Sequence, residues 1–228
     1  SSAASDVYKR QCLSSAMAMD KGVTKAMFQM RGVSTPGGKA MKKKDRQDSL
    51  AALGMEFPVV VKTCCGGSSI GVYIVDNQED YVKALDEAFE YENEVVIEEF
   101  IKGVEYTVAV VDGTAYPVVQ IVPKEGFYDY ENKYKPGAVQ ETCPAPISEE
   151  LTRRLQEAAV DGYHALEMES YARLDFIVTE DEKIYCLEAN TLPGMTPTSL
   201  IPQEAAVLGM DYPTLCEELI RVSQKKYD

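Results

Sequence analysis

The sequence predicts an α+β fold in two units, and three observations carry that prediction. Short alternating segments rich in Val, Ile and Tyr recur along the chain, and some lie only a turn apart. Helical periodicity occupies stretches of its own among the strands, which is the pattern of an α+β chain. The pattern also breaks near Lys102-Gly103, dividing the 228 residues into parts 12–102 and 103–228. Residues 1–11 have no periodicity, and Asp6-Val7-Tyr8-Lys9-Arg10-Gln11 resembles the translation of a transposon end. They read as a non-native leader, which would make the remainder an N-terminally truncated piece of a longer protein.

Taken in order, Asp20 is the N-cap of a helix running to about Arg31, closed by Gly32 and Pro36. Residues 37–57 read as a loop with at most a short helix, carrying Gly37-Gly38 and the basic run Lys42-Lys43-Lys44. Residues 58–62 form a strand ending in a lysine, 64–71 a small-residue loop, and 72–75 a second strand, so the loop is a hairpin tip. Residues 77–91 have helical spacing at Tyr81, Val82, Leu85, Ala88 and Phe89. A strand follows at 95–99. Residues 106–111 and 115–122 make a hairpin about Asp112-Gly113. Residues 124–140 form a loop of the length usually reserved for function. A helix at 149–166, strands at 171–178 and 184–190, and a helix at 211–225 complete the chain.

Composition narrows the classes. A hydrophobic share of 45% suits a globular protein, and a net charge of −14 disfavours non-specific binding to nucleic acid or to an acidic membrane. A polyanionic substrate would need a local basic site and a metal. The six cysteines (Cys12, Cys64, Cys65, Cys143, Cys186, Cys216) show no zinc spacing and read as reduced thiols of a cytoplasmic protein. No membrane-length apolar run or signal peptide is visible. The single histidine, His164, lies in a helical pattern and reads as structural, so histidine-based triads are disfavoured.

The chemistry concentrates in the hairpin at 171–190. Period-two alternation puts Arg173 and Asp175 on one face of the first strand, and Glu188 and Asn190 on one face of the second. A turn centred near Asp181-Glu182 sets Asp175 opposite Glu188 and Arg173 opposite Asn190. Two facing carboxylates repel, so neutralising both is expected to leave the fold intact or slightly firmer. Two carboxylates and an amide oxygen are an oxygen-only set suited to Mg²⁺ shared with phosphates. Lys62 and the glycines around Ser68-Ser69 suit phosphate work, because glycines let the backbone approach a ligand closely. Glu98-Glu99-Phe100-Ile101, at the boundary, can stack and hydrogen-bond a flat ring, and Glu105 is placed for sugar hydroxyls.

In order and spacing, these pieces resemble the ATP-grasp superfamily and, within it, the D-alanine–D-alanine ligase family. The matching motifs are Met19-Asp20-Lys21, Val61-Lys62, Gly67-Ser68-Ser69-Ile70-Gly71-Val72, Val96-Ile97-Glu98-Glu99, Gly103-Val104-Glu105-Tyr106-Thr107-Val108, and Phe127 through Tyr134. They continue with Cys143-Pro144-Ala145, Arg173-Leu174-Asp175, Leu187 through Thr196, and Ser199-Leu200-Ile201-Pro202. The resemblance implies two α+β subdomains clasping ATP, with the family's N-terminal α/β domain missing. It implies that Lys21 and Lys62 contact ATP phosphates under the loop of Gly67, Ser68 and Ser69. Glu98, Glu99, Phe100 and Ile101 would hold adenine, and Glu105 ribose. Asp175, Glu188 and Asn190 would ligate two Mg²⁺ ions, Mn²⁺ being an alternative. Lys133 would cover the γ-phosphate, and Tyr134 beside it accompanies dipeptide formation where phenylalanine accompanies D-lactate. Arg173 and the Gly194 N–H would hold an oxyanion, and Ser199 and Leu200 the second substrate's carboxylate.

The implied activity is ATP-dependent joining of two D-alanines through an acyl phosphate, for peptidoglycan precursor synthesis in the cytoplasm. The intact parent would be a homodimer, and the piece alone is expected to show little or no ligation. Two other readings stand beside this one. The first is another ATP-grasp carboxylate ligase, such as a D-alanine–D-lactate ligase. The second is a nucleotide-binding fragment without catalysis.

Overall fold

Two antiparallel sheets face a common helix, and that helix reaches both. The computed structural model describes residues 12–66, 71–123 and 139–225. The expectations for Gly67, Ser68, Ser69, Lys133 and Tyr134 lie outside these residues.

The chain opens with helices α1 (Cys12–Met19) and α2 (Lys21–Arg31). The Asp20 carboxylate accepts the Val23 N–H, and Gly32 closes α2 at φ 77°, a left-handed value that glycine adopts without penalty. The first sheet has the order β1 (Gly38–Lys42), β4 (Glu94–Glu99), β2 (Val59–Thr63), β3 (Val72–Val75). Val59, Val61, Val95 and Ile97 on one face pack with Tyr81, Leu85 and Phe89 of helix α3 (Gln78–Tyr91), which Asn77 caps. Alternation sends Lys62 and Glu98 to the opposite face.

The second sheet runs β10 (Ile184–Asn190), β9 (Tyr171–Val178), β5 (Val104–Val111), β7 (Val119–Pro123), β8 (Val139–Thr142), with the short β6 (Thr114–Ala115) also on β5. One face buries Val108, Val110, Ala172, Leu174 and Phe176 against helix α4 (Glu149–Ala165) and against Phe28 of α2. The other face begins apolar, with Ala109 and Val111 under helices α5 (Leu200–Val207) and α6 (Tyr212–Gln224). Beyond that cover the same face turns polar, at Thr107, Arg173 and Asp175.

Several elements depart from expectation. Residues 38–42 are a strand, not loop. They pair with β4 from Gly38↔Glu98 to Lys42↔Glu94, and only Met41 of the five is buried, so an exposed edge left no alternation to read. A side chain at Gly38 would run into the Ile97 carbonyl oxygen, so the run that reads as loop chemistry in fact permits close pairing. The hairpin after Asp112-Gly113 is interrupted between β6 and β7, where Pro117 cannot donate to a ladder. Val139 and Gln140, expected in the long loop, begin β8. Helices α1 and α5 were not anticipated. Helices α1 and α2 also share the apolar core of the second sheet, so the cores do not follow the sequence boundary.

Candidate nucleotide and metal site

Asp175 lies at the centre of the polar face. Arg173 grips it with both prongs, Nε donating to Oδ1 at 2.9 Å and Nη2 to Oδ2 at 2.7 Å. Thr107 Oγ1 donates to Oδ1 at 2.5 Å, and Asn190 Nδ2 to Oδ2 at 2.9 Å. Asn190 Nδ2 also reaches Glu188 Oε1 at 3.4 Å. The register is Glu188↔Asp175 and Asn190↔Arg173, as the alternation predicts. It arises differently, though. The strands meet as Cys186↔Phe176, one residue off the expected register, and a bulge between Cys186 and Glu188 restores the pairing.

The carboxylate repulsion expected from sequence is therefore already relieved. A half-buried guanidinium, a hydroxyl and an amide N–H surround Asp175, and the Arg173 guanidinium is held fully charged against the cost of burial by Asp175. Asn190 Nδ2 sits between oxygens of both carboxylates, where a cation shared by them would sit. Turning the amide would present its oxygen instead, so the donor set fits a hard divalent ion. No group of three His, Cys, Asp or Glu arranged for a metal occurs among the described residues; the third protein donor here is an amide.

Helix α2 brings lysines to this face. Lys21 Nζ donates to the Gly66 carbonyl at 2.6 Å and lies 4.0 Å from Glu188 Oε2, joining the edge of the small-residue loop to the candidate metal donors. One turn on, Lys25 pairs with Glu98 Oε1 at 2.9 Å, while Lys62 pairs with Glu98 Oε2 at 2.5 Å. Burial would raise the Glu98 pKa, but Lys62 and Lys25 together hold it below the ordinary carboxyl range. The Glu98 side chain is thus committed to lysines. Glu99 accepts the Gly37 N–H at 2.7 Å. Phe100 is 36% exposed and its N–H donates to the Pro58 carbonyl. Glu105 stands on β5 opposite Ile121 and Ile177.

The acceptor-site candidates lie beside α5. Ser199 is its N-cap, and its hydroxyl accepts the Thr196 N–H at 3.0 Å, with Leu200 opening the helix. A Cβ built on Gly194 would stand 3.0 Å from Ser199 Oγ, which sets the glycine against the serine. Three residues escaped the sequence reading: Lys25, Thr107 and Glu204. Lys25 was accessible, since it follows Lys21 at helical spacing. Thr107 lies inside the Gly103–Val108 motif but carries no role there, Glu204 lies outside every motif, and the contacts of both become visible only through pairing and burial. Cys64 is buried and its thiol is pushed up to about 12 by burial and by Asp20, whereas Cys65 is exposed. His164 is exposed and packs edge-on against Tyr163, with ring centroids 5.4 Å apart.

Two lysine-facing sheets with a carboxylate–amide pair on one of them define a protein of the ATP-grasp class. A sequence model of the D-Ala D-Ala ligase C-terminus matches residues 22–221. The D-alanine–D-alanine ligase of Syntrophotalea carbinolica is 43% identical over 208 residues, covering 91% of this chain and 67% of that protein. The D-alanine–D-alanine ligase of Bacillus anthracis complexed with ATP superposes with a TM-score of 0.83 at 34% identity, over 96% of this chain and 70% of that one. VanG D-Ala:D-Ser ligase of Enterococcus faecalis superposes at 0.86 with 30% identity, over 95% and 64%. The chain belongs to the D-alanine–D-alanine ligase family, and it spans about two thirds of the length of the curated relatives it matches. No helix among the described residues is long and apolar enough to cross a membrane.

Proposed function

We propose that this chain is the ATP- and Mg²⁺-binding portion of a cytoplasmic ligase that joins two D-alanines for peptidoglycan precursor synthesis. The observation that carries the reading is the junction of Lys21 with Glu188 at 4.0 Å, beside the Asp175–Asn190 pair, in a chain of this family. Lys21 and Lys62 hold the phosphates with Gly67, Ser68 and Ser69, and Lys133 closes over them. The segment from Glu98 to Ile101 holds adenine mainly through backbone and the Phe100 ring, and Glu105 holds ribose. Asp175, Glu188 and Asn190 hold Mg²⁺, which when bound neutralises phosphate charge. On this reading residues 12–102 form the phosphate side of the clasp and residues 103–228 the metal and acceptor side.

The first D-alanine's carboxylate oxygen attacks the γ-phosphorus, the bond to ADP breaks, and an acyl phosphate forms. The second D-alanine's neutral amine then attacks the acyl carbon, phosphate leaves with its bonding pair, and the amine's proton is carried off as hydrogen phosphate. Arg173 uses two N–H groups on Asp175 and keeps three for the oxyanion, with the Gly194 N–H as second donor. Ser199 and Leu200 hold the acceptor carboxylate, and Tyr134 favours an amine over a hydroxy acid as acceptor. The intact parent is a homodimer on the same resemblance.

Calorimetric titration of the chain with a non-hydrolysable ATP analogue, with and without Mg²⁺, tests the reading. Mg²⁺-dependent binding is expected. A folded chain that ignores the analogue, or binds it equally without metal, overturns the site.

A further inference from the structure

Lys25 is a buried cation to which the ligase reading gives no role. It is 5% exposed, and it faces Glu98 Oε1 at 2.9 Å, the Pro36 carbonyl at 2.5 Å and Thr35 Oγ1 at 3.4 Å. Three oxygens for three N–H donors fix the ammonium in place. Glu98, 4% exposed, is shared, because its other oxygen takes Lys62 at 2.5 Å. Two lysines on one carboxylate leave this cluster with a surplus positive charge, inside a chain of net charge −14.

That surplus decides what Lys62 can do. Were Lys62 the sole partner of Glu98, reaching a phosphate would strand a buried carboxylate, which is strongly unfavourable. With Lys25 locked on the second oxygen, the carboxylate stays paired when Lys62 swings away. We propose that Lys25 is a positioning residue for nucleotide phosphate, holding Glu98 so that Lys62 is released to the ligand. This rests on the reading that Lys62 meets the phosphates of ATP.

The test compares affinities for a non-hydrolysable ATP analogue with Mg²⁺ and for adenosine, which lacks phosphate. It uses the unaltered chain, Lys25→Met, Lys25→Arg and the double variant Lys25→Met with Glu98→Gln. Lys25→Met should lower the ratio of analogue to adenosine affinity about tenfold, the size expected for one charge at about 10 Å and an effective dielectric of about 20. Lys25→Arg should retain the ratio. The double variant should restore it, because a neutral amide at position 98 no longer holds Lys62. Loss of both affinities together, an unchanged ratio in Lys25→Met, or a double variant as weak as the single one overturns the proposal. Should Lys25→Met not fold, the arginine and double variants decide, the latter having no buried carboxylate left to strand. Failure of the unaltered chain to bind the analogue removes the phosphate reading first, and the role of Lys25 with it.

Discussion

Asp175 and Glu188 stand opposite each other and are both assigned to metal, yet their surroundings make them unequal. Asp175 is 20% exposed and is the counter-ion of Arg173, whereas Glu188 is 40% exposed and meets Lys21 only at 4.0 Å. Both Asp175→Asn and Glu188→Gln should abolish Mg²⁺-dependent binding of the ATP analogue. In urea denaturation, Asp175→Asn should cost roughly 2 kcal/mol by leaving Arg173 unpaired, discounted from a fully buried pair by its partial exposure, while Glu188→Gln stays within about 0.5 kcal/mol. Equal stability of the two variants would remove Arg173 from the argument. Facing carboxylates alone predict a gain in stability on neutralising both, whereas the bidentate contact of Arg173 with Asp175 predicts a loss. Two other buried carboxyls tune stability in opposite directions. Glu98 has a lowered pKa, so its stabilisation is fully present above the ordinary value of 4.5 and is lost as pH falls through its own. Glu204 is fully buried and its pKa is raised well above the ordinary value by burial, so its protonated form is favoured and stability is lost as pH climbs from 4.5 toward its own pKa. Its Oε2 accepts the Ala109 N–H at 2.7 Å and its Oε1 has no hydrogen-bond partner among the described residues. Glu204→Gln keeps an acceptor for Ala109 and removes the ionisation. The Tm it loses between about pH 5 and about pH 8 should be smaller than that of the unaltered chain; an equal loss sinks the assignment.

At the scale of elements, packing overrules propensity at Gly162 in the last turn of α4. An exposed helical Gly→Ala substitution gains up to about 1 kcal/mol, but here a new Cβ would lie 2.5 Å from Leu174 Cδ2 and 3.7 Å from Phe28 Cε1. Leu174 and Phe28 are both at 0% exposure and have nowhere to retreat. Gly162→Ala should therefore destabilise by about 1–3 kcal/mol in chemical denaturation, and a stabilised variant would show that α4 can slide on the sheet. Contacts of this kind explain which elements could be read in advance. Helices α2, α3, α4 and α6 carry capping residues and one apolar stripe, so Asp20, Asn77, Ser148 and Asp211 announce them locally. The pair β9–β10 was legible because its burial alternates strictly along β9. Strand β1 was not, because an edge strand with four of its five residues unburied takes its identity from the neighbour it pairs with. Helix α5 is apolar around most of its circumference and holds Pro202 near its start, so no stripe marked it. The candidate site follows the same rule. Facing carboxylates, lysines and glycines could be read from strand parity and family order. Strand parity puts Arg173 and Asp175 on one face but does not give the bidentate grip between them, and the Thr107 contact and the double pairing of Glu98 join elements far apart in sequence.

The whole molecule keeps its two main apolar cores apart. Val59, Val61, Tyr81, Leu85 and Ile97 form one around the first sheet, and Val108, Leu155, Leu174 and Phe176 another around the second. The segment after α2 joins them through backbone bonds. The Cys186 N–H donates to the Ser34 carbonyl at 2.8 Å, the Glu99 N–H donates to the Gly37 carbonyl at 2.8 Å, and the buried Lys25–Glu98 pair adds to the link. Polar links of that kind resist separation less than a shared core does, so the two sheets should open with different free energies in the absence of nucleotide. A ligand held by Lys62 on one side and by Asp175, Glu188 and Asn190 on the other would penalise either opening. At a hundredfold excess over Kd it adds about 2.7 kcal/mol to every opening that breaks the site. Amide hydrogen exchange should then show β2 and β4 exchanging at rates distinct from β5 and β9 in the free chain. Protection should rise in both groups together when the ATP analogue and Mg²⁺ are added. Lys62→Met should remove the added protection from β9 and β10 as well as from β2, because the second sheet is stabilised only through a ligand gripped on both sides. Protection confined to one sheet would mean that the nucleotide rests on one unit and the other does not close on it.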